Sequence, residues 1–134
     1  MKMRVSQIRG ISPDTAKSLR TVGIRDSDKV ITEFRTPAAR KEWAGKLGMD
    51  HHALLELANR ADLARVKGIG RVYANLLENC GVDTVAELAQ RNPDNLYEKL
   101  VANAAESGVQ RAPRKEDVAD WVAQAKQLGR GIEY

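Results

Sequence analysis

A chain of 134 residues with 43% hydrophobic residues can bury one core, and its 4% aromatic content leaves that core to Leu, Val, Ile and Ala, which suits packed helices. One cysteine, Cys80, excludes an internal disulfide; no run approaches the roughly 18 apolar residues of a membrane span, and MKMRVSQIRG has no leader pattern, so the expected location is cytoplasmic. The net charge of +4 is uneven, at +5 over residues 1–40, +1 over 41–80 and −2 over 81–134, which favours an anionic partner for the N-terminal part.

In chain order, Ile8-Arg9-Gly10-Ile11 reads as a turn. Ser12 is placed to cap the helix that follows, and Pro13 fits its first position. Ala16, Leu19 and Val22 form its inner face, and Gly23 ends it. Asp26 or Ser27 opens a short helix carrying Val30, Ile31 and Phe34. Thr36-Pro37 opens the next, with Trp43, Ala44 and Leu47 inward and Gly48 at its end. Asp50 caps a longer helix to about Arg65, striped by Leu54, Leu57, Ala58, Ala61 and Ala64.

That helix runs into VKGIGRVYANLL, residues 66–77, the stretch that organises the chain. Gly68 and Gly70 are expected to supply positive φ or a close approach, Ile69 to plug the gap between helices, and Ala74 and Leu77 to face inward. Gly70 opens a helix whose free N–H groups and positive dipole end suit a phosphate oxygen, and Lys67 and Arg71 add charge on either side. The helix spans about 71–80 and stops at Gly81. Thr84 and Glu87 form a capping box, Asn92-Pro93 opens a helix with Leu96, Leu100 and Val101 inward, and residues 107–113 are a polar loop. The last helix, about 115–128, carries Val118, Trp121, Val122, Ala125 and Leu128 inward and ends at Gly129. No segment alternates with period two, so no sheet is expected.

A single offset of 58 residues relates the two glycine turns. Ile8-Arg9-Gly10-Ile11 aligns with Val66-Lys67-Gly68-Ile69, then Ala16 with Ala74, Leu19 with Leu77, Val22 with Cys80, Gly23 with Gly81 and Ile24 with Val82. The pattern argues for duplication of one supersecondary unit. The expected fold is all-α: a compact bundle of about eight short helices in one domain, 1–134, built from pseudo-two-fold units 1–65 and 66–134. By that symmetry the last helix is expected beside the short N-terminal segment.

The spacing hxGhGxxxAxxL in residues 66–77 resembles the helix-hairpin-helix motif, whose family binds nucleic-acid backbones without reading sequence. With two hairpins and long helices after them, the whole chain resembles an uncharacterised bacterial family of tandem helix-hairpin-helix domains. That resemblance supports the fold and implies no settled activity.

Other constellations have plain readings. His51-His52 beside Asp50 are neighbours about 100° apart on a helix and are expected not to share a face, so no metal site is predicted. Cys80 aligns with Val22 and reads as a structural thiol. Trp43 and Trp121 fall on apolar stripes, whereas Tyr73, two residues from Arg71, is open to a role in binding. Glycosylases of the helix-hairpin-helix class resemble one another in placing a catalytic Asp beyond the hairpin; Lys67 and Asp83 do not fit that pattern, and neither an enzyme nor a cofactor is expected.

The expected function is sequence-independent binding of nucleic acid, DNA by preference, with Lys67, Gly68, Ile69, Gly70 and Arg71 on the phosphate and Arg9, Gly10, Lys17 and Arg20 in a secondary role. The second turn is expected to dominate, because in the first Ser12 replaces the second glycine, Pro13 has no N–H and Asp14 competes with an anion. The alternative is a protein-interaction or scaffold module that keeps the hairpins only as fold elements.

Overall fold

The computed structural model describes residues 2–134 and is all-helical. After a 3-10 turn at Val5–Gln7 come eight helices: α1 (Pro13–Thr21), α2 (Ser27–Glu33), α3 (Pro37–Leu47), α4 (His51–Leu63), α5 (Arg71–Asn79), α6 (Val85–Ala89), α7 (Pro93–Glu106) and α8 (Lys115–Leu128). The one extended pairing among the described residues is an isolated bridge between Arg4 and Asp26.

Local chemistry sets the helix starts. Ser12, Asp26, Thr36, Thr84 and Asn92 each accept the N–H three residues on, and Asp50 accepts from His52. Such caps contribute about 1 kcal/mol each by satisfying amides that have no intrahelical partner. Pro13, Pro37 and Pro93 sit in the first helical turn, where no N–H is needed.

The apolar stripes close over two clusters. The first joins Val5, Ile8, Ala16, Leu19, Ile24, Val30 and Phe34 to Leu54, Leu57, Ala58 and Ala61 of α4. The second joins Leu63, Val66, Ile69, Leu76, Leu77, Val82, Val85, Leu88, Leu96 and Leu100 to Val118, Trp121, Val122 and Ala125 of α8. Accordingly α2 and α3 pack on α4, and α6 and α7 pack on α8.

Several expectations are corrected. The last helix does not lie beside the N-terminal segment. Its stripe fills the second cluster, while Val5 N bonds Arg25 O (3.0 Å) and Ser27 N bonds Met3 O (2.7 Å). The tail after α8 makes the return to the first cluster: Ile132 is buried there, and Glu133 N bonds Arg35 O (2.8 Å). Val22, Val101 and Leu128, expected inward, are exposed. Val22 and Leu128 stand at helix ends, and Val101 is rotated about 100° from Leu100, which fills the stripe of α7.

Two buried charges join the halves. Asp62 accepts from Arg65 Nη1 (2.7 Å) and from Val85 N (2.9 Å), the amide that starts α6. Arg65 also donates to Leu128 O (2.9 Å) and Gly129 O (3.2 Å). Arg40 is buried and donates to Phe34 O (2.8 Å), Arg35 O (3.0 Å) and Glu133 O (2.7 Å).

Candidate nucleic-acid interface

The second turn is clamped from behind and bare in front. Lys67 N donates to Gln124 Oε1 (2.8 Å), Gln124 Nε2 donates back to Lys67 O (3.0 Å), and Asp120 holds the same amide group (2.8 Å). α8 thus fixes the backbone of Lys67 while its side chain stays exposed. Gly68 has φ +96°, and a Cβ there would lie 2.9 Å from Trp121 Nε1, so glycine is required both by conformation and by space. Ile69 is fully buried, as a plug, and its N–H is taken by Val66 O (3.3 Å).

Gly70 departs from expectation. Its φ of −87° and ψ of −170° are ordinary extended values, and nothing lies within 4 Å of an added Cβ. Glycine there answers to no internal contact; its consequence is an uncovered helix start. The first intrahelical bond runs from Ala74 N to Gly70 O (2.9 Å), so the amides of Arg71 and Val72 open α5 with no side-chain acceptor. Every other α-helix among the described residues has a side-chain cap or, in α8, an acid (Asp117) reaching back to the N-cap amide (3.1 Å). Lys67 and Arg71 are exposed, and neither forms an ion pair among the described residues.

The first turn is occupied. Ser12 Oγ accepts from Thr15 N (3.1 Å), Pro13 follows it, and Asp14 stands in the first helical turn. Gly10 has φ +78°, and a Cβ there would lie 2.8 Å from Arg60 Nη1. Arg9 is bound by the Glu78 carboxylate through its other oxygen from the one that Arg60 Nη2 holds at 3.4 Å. Of the secondary residues, Gly10, Lys17 and Arg20 are therefore exposed, whereas Arg9 is already paired.

Sequence reasoning missed Arg60, Glu78 and Gln124. One signal for Glu78 was readable: at the 58-residue offset it stands opposite Arg20, a reversal of charge between matched positions. Arg60 and Gln124 had none, since both read as polar faces of long helices.

Asp50, His51 and His52 come closer than helical spacing suggests. The two rings are 4.2 Å apart, His52 Nδ1 is 3.3 Å from Asp50 Oδ1, and one ligand atom from each residue lies within 4.8 Å of the others. The correction arises because Asp50 is the extended N-cap, so the carboxylate folds over the first turn. Its pKa is lowered, chiefly by the His52 N–H it accepts. Asp50 and His52 are exposed and His51 is half-buried, and the helix dipole behind them opposes a cation.

Burial pushes the Cys80 thiol up, away from a reactive thiolate. Trp121 is buried, with Tyr73 against it at 5.3 Å, and Tyr73 Oη donates to Arg111 O (3.3 Å), which commits that ring to the fold. Trp43 is half-buried, edge-on to Phe34 at 6.2 Å. No helix among the described residues is long and apolar enough to cross a membrane.

A family model described as "Domain of unknown function (DUF4332)" matches residues 9–128, so the chain belongs to that family. No curated protein and no solved structure matches the chain.

Proposed function

We propose that this member of the DUF4332 family is a tandem helix-hairpin-helix module that binds nucleic-acid backbones, DNA by preference, without reading sequence. The observation that carries the reading is the start of α5: uncapped, bare at Gly70, and flanked by the exposed cations Lys67 and Arg71, which form no ion pair among the described residues. Backbone amides at a helix N-terminus, reinforced by exposed lysine and arginine, are suited to a phosphate oxygen. The residues in contact are Lys67, Gly68, Gly70 and Arg71, with the buried Ile69 anchoring the turn from behind. A bacterial, cytoplasmic setting is part of the same reading.

The units are 1–65 and 66–134, related by pseudo-two-fold symmetry. Supporting this, Gly10 and Gly68 both have positive φ, α2 and α3 pack on α4 as α6 and α7 pack on α8, and each long helix sends one side chain (Arg60 or Trp121) against its turn glycine.

The test is fluorescence anisotropy with labelled duplex and single strands over a salt series. Duplex affinity is expected to fall with salt as released counterions predict, and Lys67→Glu with Arg71→Glu is expected to weaken it at least tenfold, on the order of one or two lost phosphate contacts. Salt-independent binding, or unchanged affinity in the folded double variant, overturns the reading. The scaffold alternative is favoured by one observation: Val72, next to Arg71, is 54% exposed and offers an apolar contact at the same surface.

A further inference from the structure

The second turn is open, but a second cationic centre lies between the turns. Arg9 from the first turn, Arg60 from α4 and Arg71 from the second turn line one cleft with Met3, Ile8 and Ala74. Two of these guanidinium groups converge on Glu78, one on each carboxylate oxygen. Arginine holds phosphate with the same planar fork that it uses for a carboxylate.

A second observation concerns Arg60 itself. Arg60 Nε is buried and has no hydrogen-bond partner among the described residues. A buried donor without a protein partner costs free energy, so this N–H is open to an acceptor that enters beside it. The cleft has a volume of only ≈ 10 Å³, about one water, so it is closed to a larger anion as it stands. The Glu78 side chain is 27% exposed and can swing into solvent without α5 unfolding.

We propose that Arg9, Arg60 and Arg71 form a second phosphate-binding site, and that the Glu78 carboxylate occupies it as a built-in anion until a nucleic-acid phosphodiester displaces it. The proposal rests on the nucleic-acid reading above. It turns the Arg9–Glu78–Arg60 cluster from a permanent tie into an exchangeable one, and makes the two turns parts of one backbone track.

Glu78→Gln removes the competing charge and keeps the side chain's shape. With labelled duplex at low salt, E78Q is expected to bind about tenfold tighter than wild type. The slope of log affinity against log salt should steepen by about one to two, the value for one or two more phosphates. Glu106→Gln makes the same charge change at the far end of α7 and is expected to shift affinity by less than about twofold. Adding Arg9→Gln and Arg60→Gln to E78Q should abolish the gain. A folded E78Q that binds no better than E106Q, or gains affinity with no change in slope, overturns the proposal.

A second readout uses inorganic phosphate and the Arg60 Nε–H resonance. Phosphate should move that resonance in E78Q, and saturating duplex should move it in the wild-type chain, which covers the case of an unstable variant. A phosphate response without duplex binding keeps the site and sinks the nucleic-acid reading. Duplex binding that leaves the resonance unmoved sinks the site alone.

Discussion

The two glycine turns share a backbone conformation and differ in what stands against them. Gly10 and Gly68 have φ of +78° and +96°, and each is crowded by one side chain of a long helix. Behind Gly10 it is the guanidinium of Arg60, a flexible end tied to Glu78; behind Gly68 it is the ring of Trp121, fixed in the core. In front the contrast reverses. Ser12 caps its own helix and Asp14 covers the first turn, whereas Gly70 leaves α5 uncapped. One turn is satisfied in front and loosely backed, the other rigidly backed and open. A rigid support behind exposed donors is what a binding surface requires, because donors held in place need no ordering when the ligand arrives.

The largest expected effect tests the backing. Alanine at either glycine is forced into the left-handed region at about 1–2 kcal/mol. At Gly68 the new Cβ also meets the Trp121 ring, and overpacking a core adds about 1–3 kcal/mol, for a total near 2–5 kcal/mol. At Gly10 the Arg60 guanidinium can move aside, so Gly10→Ala should cost only about 1–2 kcal/mol. Urea denaturation midpoints measure both. Equal losses would mean that Arg60 is held as firmly as Trp121. Glutamate at these glycines is strained in the same way, so binding comparisons belong at the surface cations instead.

The next effect concerns those cations. Lys17→Glu with Arg20→Glu changes charge on α1 as Lys67→Glu with Arg71→Glu does at the second turn, and all four side chains are exposed. Each pair should alter stability by within about 0.5 kcal/mol. The first pair is expected to lower duplex affinity by no more than about threefold, against at least tenfold for the second, because only the second flanks an open helix start. A larger loss at Lys17 and Arg20 would make the N-terminal turn the working surface.

The contrast between legible and hidden features follows the range of the interaction. Caps and stops act over three or four residues, so Ser12, Thr36, Asp50, Thr84 and Asn92 were readable as helix starts, and Gly48 ends α3 with φ +65°. The stripes of α4 and α8 were readable from their period. Contacts between distant residues were not. Asp62 and Arg40 fall at helical spacing from Leu54 and Ala58 and from Trp43, Ala44 and Leu47, on the apolar stripes, but only the chain's return makes them partners of Val85 N and Glu133 O. Ile132 left a faint trace as an isolated apolar residue in a polar tail. At the site, the open helix start at Gly70 could be read locally. The pairing of Arg9 with Glu78, 69 residues away, could not, and it changes how the first turn is understood.

The smallest effect is the sharpest test, because stability and binding should move in opposite directions. Gly70 already has the extended conformation of an N-cap, and an added Cβ meets nothing within 4 Å. Gly70→Asp therefore introduces no strain. Its carboxylate can accept from the open amides of α5, as Asp26 accepts from Lys29 N at 2.9 Å at the start of α2. Against glycine a good cap contributes a few tenths of a kcal/mol, and a carboxylate at the positive end of the dipole about 0.3–1 kcal/mol more. The folded state should gain slightly in thermal melting. The same carboxylate would sit where a phosphate oxygen is proposed to sit, so duplex affinity should fall severalfold at low salt, by loss of donors and by repulsion. A scaffold that keeps the hairpin only for its fold would show the gain without the loss. A folded, slightly stabilised Gly70→Asp that binds duplex as wild type does would remove α5 from the interface, and with it the reason for the second turn to differ from the first.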